Sequence, residues 1–309
     1  MRRFLTALAT MAICLMTYGS AAAPVTGWIA LSDSGGVYAE AAEGLRAEFE
    51  RGQPGRVAWR IAHSAQFRQA KPEPQWVVAI GIAALRDMQE LFADDPTPPP
   101  LLAVLVPRLA FDRIADPTRL RAGLQSAVFL DQPPVRQMDL VRMAMPSLLS
   151  LGVLMGGESK FHVPALEKAA RERGIHLIAR QVAKDGLFPA LQALLPDVDA
   201  LLALPDPGVF NSQTAANILS AAYRRRIPLI GFSPAYARAG ALVSLYSTPA
   251  QVGARGGEVL RQAFASRTLP PPQWPREFVV TVNQDVSRSL DLGLDEAQLA
   301  ELLRLKEKP

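Results

Sequence analysis

Cysteine is almost absent: among 309 residues the single one is Cys14. It falls in a segment laid out as a secretory signal, with Arg2 and Arg3, an apolar run over residues 4–16, then Tyr18, Gly19, Ser20 and the small residues Ala21, Ala22 and Ala23. The run is shorter than the roughly 20 residues that span a bilayer, so cleavage rather than retention is expected. Small residues are needed one and three positions before the cut, and Pro24 would be a poor residue after it. This places the break between Ala22 and Ala23, with a signal of residues 1–22. A lipid anchor on Cys14 is the rival outcome, but lipoprotein signals carry Gly, Ala or Ser before the cysteine, and Ile13 stands there. The mature chain then has no cysteine, which excludes disulfides, a thiolate nucleophile and sulfur-ligated metal.

Histidine is nearly as scarce. His63, His162 and His176 fall in different elements at spacings that make no metal motif, so neither a metal nor a cofactor is expected. His162 begins a helix beside Ser159 and reads as a solvent-exposed first-turn residue, with a ligand contact as the alternative. Strong charge of one sign is also missing. The formal balance is +4, and without Arg2 and Arg3 it is 31 basic against 29 acidic residues. The one dense basic run, Arg224, Arg225 and Arg226, has no interleaved aromatics and reads as a solvated helix end; no nucleic-acid partner is expected. No second apolar stretch reaches membrane-spanning length, and no short internal repeat is visible.

The usual catalytic signatures are missing too. No Gly-x-Ser-x-Gly elbow occurs and no Gly-x-Gly-x-x-Gly follows a strand. Gly156-Gly157-Glu158-Ser159-Lys160 has the flavour of a phosphate loop but lacks the earlier glycine and the Lys-Ser/Thr order. These absences argue against an enzyme.

What is present is a regular alternation of short apolar runs with segments of helical periodicity, which predicts an α/β fold with parallel sheets. Strand candidates lie at residues 28–31, 57–61, 76–80, 101–106, 151–155, 176–181, 200–204, 228–232, 242–246 and 278–282. They lack polar alternation, as strands buried on both faces do. Helices are expected at 37–51, 83–92, 135–145, 163–173, 214–225 and 251–266. A mature chain of about 290 residues favours two domains, and the proline-containing break near Asp131 is the natural boundary.

In parallel α/β sheets ligands bind at the carboxyl ends of strands. The residues there are polar or small: Ser32, Asp33 and Ser34 with Gly35 and Gly36 after the first strand, Gly81 after the third, Gly156, Gly157, Glu158 and Ser159 after the fifth, then Asp206 and Ser233. Loops of this kind ahead of helices offer backbone N–H groups to a carboxylate or phosphate. The plain alternative is that Ser34, Ser159 and Ser233 only cap helices. Asp33, Asp131, Glu158 and Asp206 suit an ammonium or hydroxyl better than acid–base work, since no nucleophile or metal accompanies them.

Residues 148–293 resemble the ABC transporter substrate-binding proteins of the type I periplasmic family, whose members include binders of tryptophan and other aromatic amino acids. The resemblance rests on Leu151-Gly152-Val153-Leu154-Met155 followed by Glu158-Ser159, on Ile227-Pro228-Leu229-Ile230-Gly231-Phe232-Ser233, on Ala239-Gly240-Ala241-Leu242-Val243-Ser244, and on Val280 to Asn283 leading to Leu292-Gly293-Leu294. In the first half Val78-Ala79-Ile80-Gly81 is similar to the family's second binding loop, and Val128 to Asp131 to its first crossover. The resemblance implies two Rossmann-like lobes with parallel sheets and a three-strand hinge. Lobe one would take residues 24–128 plus 247–275, and lobe two 129–246 plus 276–309. It implies a monomeric, periplasmic solute-binding component serving an inner-membrane ABC permease. A small-molecule ligand would lie between the lobes against Ser32, Asp33, Ser34, Gly81, Ile82, Asp131, Gly157, Glu158, Ser159, Asp206 and Ser233. Two departures weaken an amino-acid assignment: Gly81-Ile82-Ala83-Ala84 where the family commonly has Gly-Thr-Pro-Ala, and Asp206-Pro207-Gly208 where it often has Asp-Asn-Thr. A ligand-sensing or interaction module with the same fold and no transport role is the alternative.

Overall fold

The computed structural model describes residues 24–71, 73–157, 159–183 and 186–307. The signal segment lies outside the described residues, as does Glu158. The first half runs β1 (Val25–Leu31), α1 (Gly36–Gly52), β2 (Val57–His63), β3 (Trp76–Ile80), α2 (Ile82–Leu91), β4 (Leu101–Val106), α3 (Arg108–Ile114), α4 (Pro117–Arg121) and β5 (Gln125–Phe129). There follow α5 (Pro134–Ala144), β6 (Ser150–Met155), a 3₁₀ turn (Ser159–His162), α6 (Val163–Arg171), β7 (His176–Gln181), α7 (Leu187–Leu194), β8 (Ala200–Leu202), α8 (Ala215–Tyr223), β9 (Leu229–Gly231) and α9 (Pro234–Ala239). The chain closes with β10 (Val243–Tyr246), α10 (Pro249–Ala263), β11 (Val279–Val282), α11 (Gln284–Ser289) and α12 (Glu296–Glu307).

The strands form two sheets. The first has the order β2-β1-β3-β4-β5 and is parallel throughout; the second has the order β11-β10-β9-β8-β6-β7, with only β11 antiparallel to its neighbour. Every residue of β3 and of β4 is buried, which explains their unbroken apolar sequence. Helices cover both faces of each sheet. Leu45 and Phe49 of α1 and Val259 and Leu260 of α10 pack on one side of the first sheet, Leu85 and Met88 of α2 with Phe111 of α3 on the other. Met138 of α5, Leu166 of α6 and Leu303 of α12 cover one face of the second sheet, Leu191 of α7 and Ile218 of α8 the opposite face.

The chain passes between the sheets three times, at residues 130–133, 247–248 and 274–278. On its return, α10 lies so close to α1 that glycine is required: a Cβ on Gly253 would stand 2.0 Å from the Ala41 carbonyl oxygen, and one on Gly257 2.4 Å from that of Leu45. Thr248 and Gln251 form a reciprocal capping box that starts α10 directly after the second crossing. Gln273 then joins the edge of β5, donating to the Ala127 carbonyl and accepting from Phe129 N–H, before the chain leaves for β11.

Three sequence expectations need correction. β5 carries no apolar-run signal, because it opens with Gln125 and Ser126; both are nevertheless buried, and Gln125 is satisfied by Asp116 N–H and Gln89. Phe129, expected in the second lobe, is the last residue of β5 and pairs with Val106 in the first sheet. α3, α4, α7, α9, α11 and α12 also lie outside the helices expected from periodicity, most of them being too short to show one.

Candidate functional site

The carboxyl ends of the two sheets supply the site, and each loop is shaped by local hydrogen bonding. After β1, Ser32 accepts from Ala84 N–H at 2.9 Å and so caps α2, while Asp33 closes a turn on Gly35 N–H at 3.0 Å. Gly81 has φ +91°, and a Cβ there would meet Ser32 Oγ at 2.5 Å, so this tight passage admits glycine alone. In the second lobe, Asp206 is 3% exposed and binds the β6 loop to the β8 loop. It accepts from Gly156 N–H at 3.0 Å, Ser159 N–H at 3.3 Å, Ser159 Oγ at 2.6 Å and Gly208 N–H at 2.9 Å. These carboxylate contacts are internal to the loops.

Between the lobes lies a crevice divided into two chambers of about 440 and 460 Å³, a size suited to a small organic ligand. Asp131, Gln132, Gln137 and Pro205 line both. The first chamber adds Arg108, Asp112 and Arg113 from α3, Gly157, Phe161 and His162 from the 3₁₀ region, and Trp274 from the third crossing. The second adds Val37 and Glu40 of α1, Phe232, Ser233 and Pro234 after β9, and Tyr246, Ser247 and Thr248 at the second crossing. A recess about the size of one water opens between Asp131, Ser159 and His162.

Of the residues expected at the site, the structure gathers Asp131, Gly157 and Ser233 around the chambers, while Ser159, 2% exposed, borders only the recess and spends its hydroxyl on Asp206 and Gly156 N–H. Ser32, Asp33, Ser34, Gly81, Ile82 and Asp206 line neither chamber, and Glu158 lies outside the described residues. Ser233 stands at the N-cap position of α9 but makes no side-chain cap bond, which leaves its hydroxyl for the second chamber. Arg108, Gln132, Gln137, Phe161, Trp274 and Tyr246 escaped sequence reasoning. The carboxyl-end rule applied to β4 would have marked Arg108, and applied to β10 it would have marked Tyr246, the last residue of that strand; the others sit on crossings or first turns, which that rule does not visit.

Asp131 and His162, which border the recess, each carry a buried polar atom with no partner among the described residues, Oδ1 and Nε2 respectively. Asp131 Oδ2 accepts from Arg108 N–H at 2.7 Å. Burial raises the Asp131 carboxyl to about 6, against the lowering effect of the Arg108 N–H and its charge; Asp112 adds to the rise. His162 is held below the ordinary imidazole value, first by burial and then by the Arg108 charge. The expectation of an exposed His162 is thus overturned, because the 3₁₀ turn tucks under α3. Arg108 itself stacks over Trp274 at 5.1 Å and reaches Asp112 at 3.4 Å. Its backbone leaves β4 through a bulge in which Leu105 has φ +56°, a strained conformation that re-aims the chain toward the crevice.

The Asp131 shift has a measurable consequence. A carboxyl whose folded pKa exceeds its unfolded value of 3.8 binds more protons when folded, so stability falls as pH rises from about 4 through about 6. Asp131→Asn keeps an oxygen for Arg108 N–H and removes the buried charge. It is expected to be more stable than the wild type by roughly 1 to 2 kcal/mol at pH 7.5, with the difference vanishing near pH 4. Urea unfolding across that range checks this; a variant less stable at pH 7.5 would contradict the environment assigned to Asp131.

Among the described residues no group of three His, Cys, Asp or Glu side chains could hold a metal, and no helix is long and apolar enough to cross a membrane. A crevice between two α/β lobes, lined by polar groups and by Phe161, Trp274, Phe232 and Tyr246, is the geometry of a two-lobed α/β binding protein. The chain belongs to the ABC transporter substrate binding protein family, whose model matches residues 113–301, more than half of its length. Membership implies a small-molecule ligand and an ABC permease as partner. The fold is that of the type I periplasmic binding proteins. Similar solved structures include an ABC domain in complex with L-Trp from Streptococcus pneumonia, 15% identical over 92% of this chain and 98% of that one, with a TM-score of 0.60. A ligand-free, open substrate binding protein with adhesive properties from Clostridium difficile is 16% identical over 88% and 96%, with a TM-score of 0.67. A periplasmic ribose ABC transporter protein from Conexibacter woesei is 14% identical over 91% and 99%, with a TM-score of 0.54. No curated protein matches the chain in sequence.

Proposed function

We propose that this protein is the exported, monomeric solute-binding component of an ABC-type uptake system and captures a small amino-acid-like or other polar organic ligand between its lobes. The observation that carries this reading is the pair of buried, unpartnered atoms, Asp131 Oδ1 and His162 Nε2, on residues that border one recess from a crossing segment and from the second lobe. Buried polar groups without partners are costly, and a ligand hydroxyl or ammonium would relieve both. Asp131, Gly157 and Ser233 remain the contacts proposed from sequence, with Arg108 and His162 added. The lobes are taken as residues 24–128 plus 247–275 and 129–246 plus 276–309, shifted by one residue to give Phe129 to the first.

A ligand that touches both lobes binds the closed form better and must shift the population toward it. Small-angle scattering with the solute recovered from the denatured, purified protein should therefore give a smaller radius of gyration. An unchanged radius at saturation would overturn interlobe capture. Export is tested separately: intact mass of periplasmic material should begin near Ala23 without added lipid, whereas a full-length cytoplasmic species would contradict it. A sensing module without transport is the second reading, motivated by Ile82, Pro207 and Gly208, where polar residues that the family commonly carries are lost. Growth on the recovered solute after deletion of neighbouring permease genes distinguishes the two.

A further inference from the structure

Arg136 lies in the first turn of α5, only 5% exposed, yet every one of its five N–H donors is engaged. Nε and Nη2 grip the two oxygens of Glu307, at the end of α12. Nη1 donates to Gln132 Oε1 at 2.6 Å and to the Pro275 carbonyl at 3.1 Å, and Nη2 also donates to the Arg276 carbonyl at 3.3 Å. The ring of Phe278 lies against the guanidinium at 4.5 Å. Residues from the first crossing, the third crossing and the C-terminal helix thus converge on one side chain. Gln132 extends the network: its Nε2 donates to Ser247 Oγ at 2.9 Å in the second crossing, and the Ser247 hydroxyl donates to the Glu277 carbonyl in the third.

A guanidinium can only donate hydrogen bonds. Gln132 must therefore turn its oxygen to Arg136, because the flipped amide would set N–H against N–H at 2.6 Å. Its nitrogen then faces Ser247, and one of its two N–H groups remains without a partner among the described residues. Gln132 lines both chambers and follows Asp131 directly.

We propose that Arg136, held by Glu307, is a positioning residue for ligand capture: it fixes the Gln132 carboxamide so that a donor faces the crevice beside the Asp131 acceptor. The inference rests on the reading of the crevice as the ligand site. It makes α12, which packs on β11 and α5, part of the binding machinery. It also narrows the ligand to one that offers an acceptor oxygen next to a hydrogen-bond donor. Arg136 grips the first and third crossings and reaches the second through Gln132 and Ser247, which ties the direction of that donor to the geometry of the hinge.

The test uses ¹⁵N-labelled mature protein as wild type, Glu307→Gln and Arg136→Lys. The Gln132 side-chain NH₂ signals are identified by their loss in Gln132→Glu. In the wild type their hydrogen exchange should be about tenfold or more slower than that of the exposed Gln66 and Gln69, as a hydrogen-bonded amide requires. Glu307→Gln should erase at least about threefold of that protection, and Arg136→Lys, which keeps the charge but loses the fork, should erase more. Gln125, buried in the other lobe, serves as reference and should not change. Equal protection of Gln132 in all three proteins overturns the proposal. A loss shared by Gln132 and Gln125 also overturns it, since that pattern reports lower global stability. Should Arg136→Lys fail to fold, Glu307→Gln decides alone. Calorimetric titration with L-tryptophan is a separate arm. If the wild type binds it, Glu307→Gln should weaken binding about three- to tenfold, and an unchanged affinity would overturn the role in capture. Absence of tryptophan binding by the wild type counts against an amino-acid ligand, while the exchange result still decides the positioning.

Discussion

Replacing Asp206 by alanine is expected to lower the unfolding free energy by about 3 to 5 kcal/mol, because several buried donors lose one shared acceptor. The carboxylate accepts from Gly156 N–H, Ser159 N–H and Oγ, and Gly208 N–H. Alanine leaves these donors in a space that water reaches poorly, each orphan costing about 1 to 3 kcal/mol before the loop relaxes. Asp206→Asn keeps the shape but presents N–H to one of the two donor sets, so it should recover only part of the loss. Urea unfolding of both variants checks the order. The same experiment separates a structural from a ligand role, because Asp206 lines neither chamber. An Asp206→Ala protein as stable as the wild type, but unable to bind solute, would reverse the assignment.

Gly253→Val is expected to cost about 3 kcal/mol or more, above the usual range for overpacking, because the obstacle is backbone. A Cβ at this position would stand 2.0 Å from the Ala41 carbonyl oxygen and 2.9 Å from its Cα. Neither can swing aside as a flexible side chain does, so α10 must lift from α1. That lift would also carry Thr248 and Pro249 away from the second chamber, which they line. The melting midpoint should fall by roughly 6 to 12 °C for a chain of this size, and solute affinity should fall with it. A loss below about 1 kcal/mol would mean that the two helices pack less closely than described.

Much of the architecture was legible because apolar runs report burial directly. β3 and β4, buried throughout, have the expected bounds, their apolar runs being closed by Gly81 and Pro107. β5 was hidden because it buries the polar Gln125 and Ser126; Gln125 is satisfied by Asp116 N–H and Gln89, and hydropathy does not register a satisfied amide. The site was legible as a set of loops but not as a set of contacts. Ser32, Asp33 and Asp206 have the right chemistry in the right loops, yet their oxygens cap a helix, close a turn and join two loops respectively. Chain order cannot tell an oxygen that faces a ligand from one that holds its own backbone. Arg108, Gln132 and Trp274 act from strand ends and crossings, where their neighbours in space are distant in sequence. Asp131 was found in both ways, as a carboxylate at a proline-bounded break and as the residue on which both chambers converge.

Central to the proposed function is a solute held between the lobes in the crevice, reaching the recess bordered by Asp131 and His162. A crystal structure of the protein purified without denaturation, grown with the solute recovered from it, tests this most directly. The predicted result is density bridging the lobes, with a donor group within about 3 Å of Asp131 Oδ1 and an oxygen near the Gln132 amide nitrogen. Solute bound to one lobe only, or in the open groove beside α12 lined by Gln284, Asp295 and Arg304, would contradict it.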